Sequence, residues 1–290
     1  MMELFRALAV LVEPPVAEVA HVAQALEFGE LPSASEYTEL FVFQLYPYAS
    51  IYLGAEGMLG GEARDRIAGF WRALGQMPPK EVDHLSVMLA LYARLVELEE
   101  HESGAVQRAN WRRARKAFLW EHLLSWLPAF LSELETIAPP FYRKWGALLT
   151  KALLTEAKTC GRQELLPLHL RESALLVDPR GGDGDVDKFL QSLLSPVRSG
   201  MILVRSDLGR AARQLKLGLR MGERLFILKT LFGQEPSGML AWLAEEAAMW
   251  VKRHEQNGKA LGEVARVWKA KAEASVALLH ELKLTASEVR

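Results

Sequence analysis

An all-α fold is predicted, with a helical bundle core followed by an additional C-terminal helical region. Apolar residues recur at helical spacing through most of the 290 residues. The interruptions are short turn signals: Pro14-Pro15, 29–32, Tyr46-Pro47, 54–61, 75–79, Ser103-Gly104, Pro139-Pro140 and Gly161. Strand candidates are too few. MILVR at 201–205 reads as a strand and FVFQLYPY at 41–48 fits either reading, but one strand cannot make a sheet.

Half of the residues are apolar, enough for a sizeable core. Thirty-five Lys and Arg stand against thirty-six Asp and Glu, so the formal charge is -1 and a charge-driven partner must meet a local patch. The single cysteine, Cys160, excludes an internal disulfide and a thiolate metal cluster, which suits a reducing cytoplasm. The N-terminus is not expected to be a signal peptide, because Glu3, Arg6 and Glu13-Pro14-Pro15 break the apolar run. No stretch reaches the roughly eighteen apolar residues of a membrane span.

The first half is a chain of helices joined by short turns. In 78–100, Pro79 suits a first helical position, Glu81 and Asp83 favour the positive end of the dipole, and His84, Met88, Leu91 and Leu95 share a face. His84 is there either a satisfied core histidine or a site residue. FLWEHLLSWLPAFLSEL at 118–134 reads as one helix. Leu119, Trp120, Leu123, Leu124, Trp126, Leu127, Phe130, Leu131 and Leu134 fill its buried arc at about 100° per residue. Phe118, His122 and Trp126 run along the border of that arc near Glu121 and Glu133, and mid-helix Pro128 is expected to kink it.

The sharpest break in composition is DPRGGDGD at 178–185. The domain organisation is therefore a core over 1–177, a Gly/Asp-rich linker over 178–187 and a basic helical extension over 188–290. Helices are expected to resume at 186–194, 207–217, 221–232, 238–254 and 262–284.

Most motifs for chemistry fail. The GGDGDVD run has no preceding strand or third glycine for a dinucleotide loop. Asp183, Asp185 and Asp187 have calcium-loop spacing, but Lys188 stands where glycine is needed and Leu194 where a bidentate glutamate is needed. Cys160 has no local activator, no serine sits in a nucleophile elbow, and no two histidines have helical zinc spacing. No catalytic residue, metal site or cofactor is expected.

Residues 198–229 carry Arg198, Arg205, Arg210, Arg213, Lys216, Arg220, Arg224 and Lys229 against Asp207 and Glu223, an excess of six. A cap at Ser206 or Asp207 and a stop at Gly218 make the outline compatible with a helix-turn-helix, so a nucleic-acid-binding regulator is the alternative function. A basic face meeting an acidic protein or an anionic cofactor fits the neutral total charge better.

Tyr46-Pro47-Tyr48, then Pro79 with Asp83-His84, then Phe118, Glu121-His122-Leu123, Trp126 and Phe130 together resemble the TorD/DmsD/NarJ family of redox-enzyme maturation chaperones, over roughly 35–160. The resemblance implies an all-helical, cytoplasmic, non-enzymatic chaperone, monomeric or homodimeric. It implies binding to the twin-arginine leader, or another segment, of a molybdenum oxidoreductase subunit during cofactor insertion, assembly or export. The client-binding residues it implies are Tyr46, Asp83, His84, Phe118, Glu121, His122 and Trp126. A reversible grip on an apolar leader needs exposed aromatic surface rimmed by polar groups, which the border of 118–134 is expected to supply.

Overall fold

A computed structural model describes residues 1–181 and 185–288, with side chains through 285. Gly182, Asp183 and Gly184, part of the expected linker and of the rejected calcium loop, lie outside the described residues. The described residues form sixteen α-helices, two π-helical segments and one 3-10 turn, with one isolated bridge and no strand. Two compact units result, 1–50 with 60–168 and 51–59 with 169–290.

The first unit holds α1 (Met2–Val10), α2 (Ala20–Ala25), α3 (Ala34–Tyr37), α4 (Ala49–Leu53, continuing past the unit's edge at Ser50), α5 (Gly61–Ala73), α6 (Leu85–His101), α7 (Ala105–Phe118), α8 (Leu127–Ile137) and α9 (Pro140–Cys160). Its central helix α6 buries Met88, Leu89, Tyr92, Leu95 and Val96 against α1 and α7. Phe5 of α1 meets the Tyr92 ring edge-on at 4.7 Å, and Trp145 of α9 donates Nε1–H to the Leu8 carbonyl at 3.0 Å. Such a pairing satisfies the polar end of a fully buried indole. A buried ionic knot joins three helices: Arg115 of α7 pairs with Glu99 of α6 at 2.9 Å and with Glu156 of α9, which also accepts from Tyr92. Removing one partner of such a knot leaves an uncompensated buried charge.

Three expected features differ. The span 118–134 is not one helix. Leu119–Leu123 forms a π-helical segment closed by Leu124 N–H donating to Leu119 O at 2.8 Å, the chain turns, and α8 begins at Leu127. Pro128 then sits in the first turn of α8, where no partner awaits its missing N–H, so it starts a helix and kinks none. Residues 41–44 of FVFQLYPY belong to a second π-helical segment, Thr38–Gln44. Finally, α6 begins at Leu85 with His84 as its N-cap, and 80–83 are turns preceding it.

The second unit contains α10 (Leu168–Glu172, entering from the first unit's last residue), α11 (Val186–Leu193), α12 (Pro196–Ser199), α13 (Arg205–Gln214), α14 (Arg224–Gln234), α15 (Pro236–Leu261) and α16 (Glu263–Glu288). The two 26-residue helices α15 and α16 form an extended hairpin. Against it packs the end of α12, where Gly200 has φ +72° and a Cβ would lie 2.2 Å from Ala272 N. His254 lies between the Trp250 and Trp268 rings, at 5.3 and 5.7 Å, with Nε2 2.7 Å from Gly200 O, while Ser275 donates to Ser199 O at 2.6 Å. The carbonyls at the end of α12 are thus taken up by side chains of the hairpin. Residues 201–204 are buried, with Val204 extended, and form no strand. Val204 N–H donates to Asp207 Oδ2 at 3.0 Å, so the strand-like composition of MILVR reflects burial before a helix start.

Candidate functional site

Two segments far apart in sequence cross in the first unit. Tyr48 and His84 form an antiparallel bridge, with Leu85 N–H donating to Pro47 O at 2.8 Å and Ala49 N–H to Asp83 O at 3.0 Å. Proline has no N–H, so it enters such a bridge as acceptor only. The buried Asp83 carboxylate accepts from Ser50 N–H at 3.3 Å, which fixes the crossing. Asp83 and His84, predicted as one motif, and the Tyr46-Pro47-Tyr48 turn are therefore brought together.

Around this crossing the polar groups converge. The Tyr48 ring meets the His84 ring edge-on at 4.8 Å, and its hydroxyl donates to Glu81 Oε2 at 3.1 Å. His84 Nδ1 lies 2.7 Å from Ser86 Oγ and 3.5 Å from Glu13 Oε1, and Ser86 Oγ also donates to Glu13. Burial lowers the His84 pKa below its usual range, and Glu13, Glu81 and Asp83 oppose that shift. Burial pushes Tyr48 up to about 12, reinforced by Glu81, and Tyr37 up to about 12, reinforced by Glu13 and Glu81. Both phenols therefore keep their protons at neutral pH. The arrangement offers carboxylate acceptors and half-buried aromatic faces. It offers no nucleophile, because the buried Ser86 hydroxyl is engaged on both sides and Glu13 and Ser86 share one ring nitrogen of His84, where a catalytic triad uses both.

Sequence reasoning places Asp83, His84 and Tyr46 here, and Tyr46 is half-buried beside the crossing in sequence. It misses Glu13, Tyr37 and Ser86. In the sequence Glu13 is only part of a turn signal, and no local pattern announces a contact across 73 positions. Exposed Val42 and Phe43, 44% and 42% open, precede Tyr46 in the same segment and add apolar surface.

The border of 118–134 is a different matter. Phe118, His122 and Trp126 do cluster, but inward: Phe118 and Trp126 are wholly buried and His122 nearly so. Phe70 lies 5.0 Å from the Phe118 ring and 5.4 Å from that of His122, and Trp126 donates Nε1–H to His122 O at 2.8 Å. Glu121 accepts the Leu168 N–H at 2.7 Å. The expectation of an exposed aromatic rim at these residues is corrected. A π-helical turn takes an extra residue, so a wheel drawn at about 100° per residue misplaces everything after Leu119.

The basic residues of the second unit are also not one patch. Arg210 pairs with Asp207 at 2.8 Å and with buried Glu246, under the Trp242 ring at 5.1 Å. Arg224 donates to Leu203 O at 2.9 Å, Lys229 pairs with Asp187 at 2.8 Å, and Arg205 is half-buried. Arg213, Lys216 and Arg220 are exposed. The connection 215–223 between α13 and α14 is longer than the three- or four-residue turn of a helix-turn-helix, which removes the geometric basis of the nucleic-acid alternative. Among the described residues, the charged side chains that line a cavity of about 580 Å³ in this unit are Glu56, Asp178, Lys188 and Arg198, two acids and two bases. Among the described residues no group of His, Cys, Asp and Glu side chains could hold a metal, and no helix is long and apolar enough to cross a membrane.

Residues 10–132 match the family described as nitrate reductase delta subunit. Curated relatives named chaperone protein TorD include that of Vibrio vulnificus strain YJ016, 34% identical over 116 residues covering 35% of this chain and 51% of the relative. That of Vibrio cholerae El Tor is 26% identical over 157 residues, 49% of this chain and 71% of the relative. That of Photobacterium profundum is 30% identical over 112 residues, 36% of this chain and 52% of the relative. The chain thus spans about half the length of the first of these relatives. The crossing of 46–48 with 81–84 lies inside the matched segment.

Proposed function

We propose, for a chain whose residues 10–132 match the nitrate reductase delta subunit family and which is similar to proteins named chaperone protein TorD, a non-enzymatic role in maturing a molybdenum oxidoreductase. It would bind the leader or another segment of the catalytic subunit in the cytoplasm, during cofactor insertion, assembly or export. The observation that carries the reading is the crossing of Tyr46-Pro47-Tyr48 with Glu81 to His84. Exposed Glu81 and Glu13 can pair with the cationic start of a leader, while Tyr46, Tyr48, Val42 and Phe43 supply the apolar contact that its hydrophobic part requires. Asp83 and His84 hold that surface in shape from beneath.

The test is the molybdenum content and activity of the client oxidoreductase purified from cells with and without this chain. The reading requires the client to be underloaded without it and restored by re-supply. A fully loaded client in its absence would overturn the proposal.

A further inference from the structure

The loop 215–223 of the second unit has features that the maturation role does not use. Its backbone is pinned at Gly218 by one side chain of α14. Gln234 of α14 accepts the Gly218 N–H at 2.7 Å and donates to Gly218 O at 2.9 Å, and Lys216 is one of two non-glycine residues with positive φ in the described chain. The Phe226 ring lies against Gly222, and the Leu219 and Arg213 side chains both lie against Gly209. A loop held this firmly would ordinarily tuck its apolar residues inward. Instead Leu219 is 48%, Met221 87% and Phe226 46% exposed, and Arg213, Lys216 and Arg220 are exposed among them, with Glu223 the single acid.

We infer that this loop is a peripheral docking element for an anionic lipid surface. Charge complementarity selects the occupant: three cations flank three apolar side chains, the composition with which amphipathic segments seat at an acidic headgroup layer, cations among the phosphates and apolar tips below them. Shape favours lipid over protein. Met221 is 87% exposed, and three exposed apolar side chains suit a fluid interface better than a complementary rigid partner, which needs a packed patch of about 800 Å² on each side. Firm backbone anchoring lowers the ordering cost of insertion. The surrounding basic residues do not extend the patch, since Arg210, Arg224 and Lys229 are committed to Glu246, Leu203 O and Asp187.

The test is co-sedimentation of the full chain with vesicles of phosphatidylcholine alone and of phosphatidylcholine mixed with phosphatidylglycerol. Sedimentation is expected only with the mixed vesicles and should fall with added salt. Leu219→Ser with Met221→Ser, and separately Arg213→Glu with Arg220→Glu, should each weaken it about tenfold or more while leaving the thermal unfolding midpoint unchanged. All four side chains are exposed, so the variants remove no buried side chain and only the contacts of Leu219 and Arg213 with Gly209, and the unfolding midpoint checks that the fold is kept. The inference is overturned if the chain ignores phosphatidylglycerol vesicles, or if both variants bind as the parent does. Binding of the parent to an acidic protein but to no vesicle would equally overturn it.

Discussion

Trp126 shows how one side chain separates two accounts of this protein. As the rim of a groove it would lose little stability on truncation; wholly buried, with its N–H on His122 O, it should lose much more. Trp126→Ala is expected to cost about 3 to 5 kcal/mol, read as a shift in the urea midpoint. A loss below about 1 kcal/mol would mean that the ring is open to solvent. His254 makes a second prediction. Burial holds its pKa down at about 4, with Arg253 acting the same way and the contact with Gly200 O opposing. A histidine whose folded pKa is lowered favours the folded state while neutral. Its contribution is therefore complete above about pH 6.5 and is lost as pH falls from there towards about 4, at up to about 1.4 kcal/mol per pH unit. Between about pH 7 and pH 5 the parent should lose more stability than His254→Gln does, measured by urea unfolding at each pH; equal losses would contradict the assignment. At this scale the sequence reveals residue types but not partners. Asp83 and His84 stand out as a pair, whereas their dependence on Ser50, Tyr48 and Glu13 arises only when separated segments meet.

Among the elements, helical identity is legible from periodicity almost everywhere, and α11, α13, α14, α15 and α16 all fall on expected helices. Irregular turns are not legible. The two π-helical segments, Thr38–Gln44 and Leu119–Leu123, have no compositional signature, and each shifts the faces of the residues C-terminal to it. That is why 118–134 reads as one helix with an aromatic border, and why Pro128 reads as a kink. Its place in the first turn of α8 gives a direct check. Pro128→Ala should change stability by no more than about 1 kcal/mol, against about 3 kcal/mol or more for a proline fitted to a helix interior. A large gain in stability, read by thermal unfolding, would mean that Pro128 is straining a continuous helix. MILVR teaches the converse: a buried extended run needs a neighbouring strand before it becomes one, and 201–204 instead leads into α13 through the Asp207 cap.

For the whole molecule, the all-α class comes from the scarcity of strand candidates, and the resemblance to chaperones rests on motifs that the 10–132 match also covers. Less visible is that 51–59, in the N-terminal half of the sequence, belongs with the second unit, where Ser195 donates to Gly54 O at 3.0 Å and a Cβ on Gly57 would meet Leu194 O at 2.7 Å. Composition marks linkers, not segments that pack out of order. The Gly/Asp-rich stretch remains the expected first site of limited proteolysis: cleavage within 178–187 should precede any cut inside α6 or α15, checked by mass spectrometry of early fragments. First cuts elsewhere would move the boundary.

The central claim is that a client segment is recognised at the crossing of 46–48 with 81–84, and calorimetric titration with the client's leader peptide tests it most directly. Tyr46→Ala with Glu81→Gln alters one half-buried and one exposed side chain there. The account predicts a loss of affinity of about tenfold or more, or about 1.4 kcal/mol, with little change in melting temperature, while the same peptide binds a conservative Trp126→Phe variant nearly as tightly as the parent. Unchanged affinity in the Tyr46/Glu81 variant, with the loss appearing in Trp126→Phe instead, would contradict it.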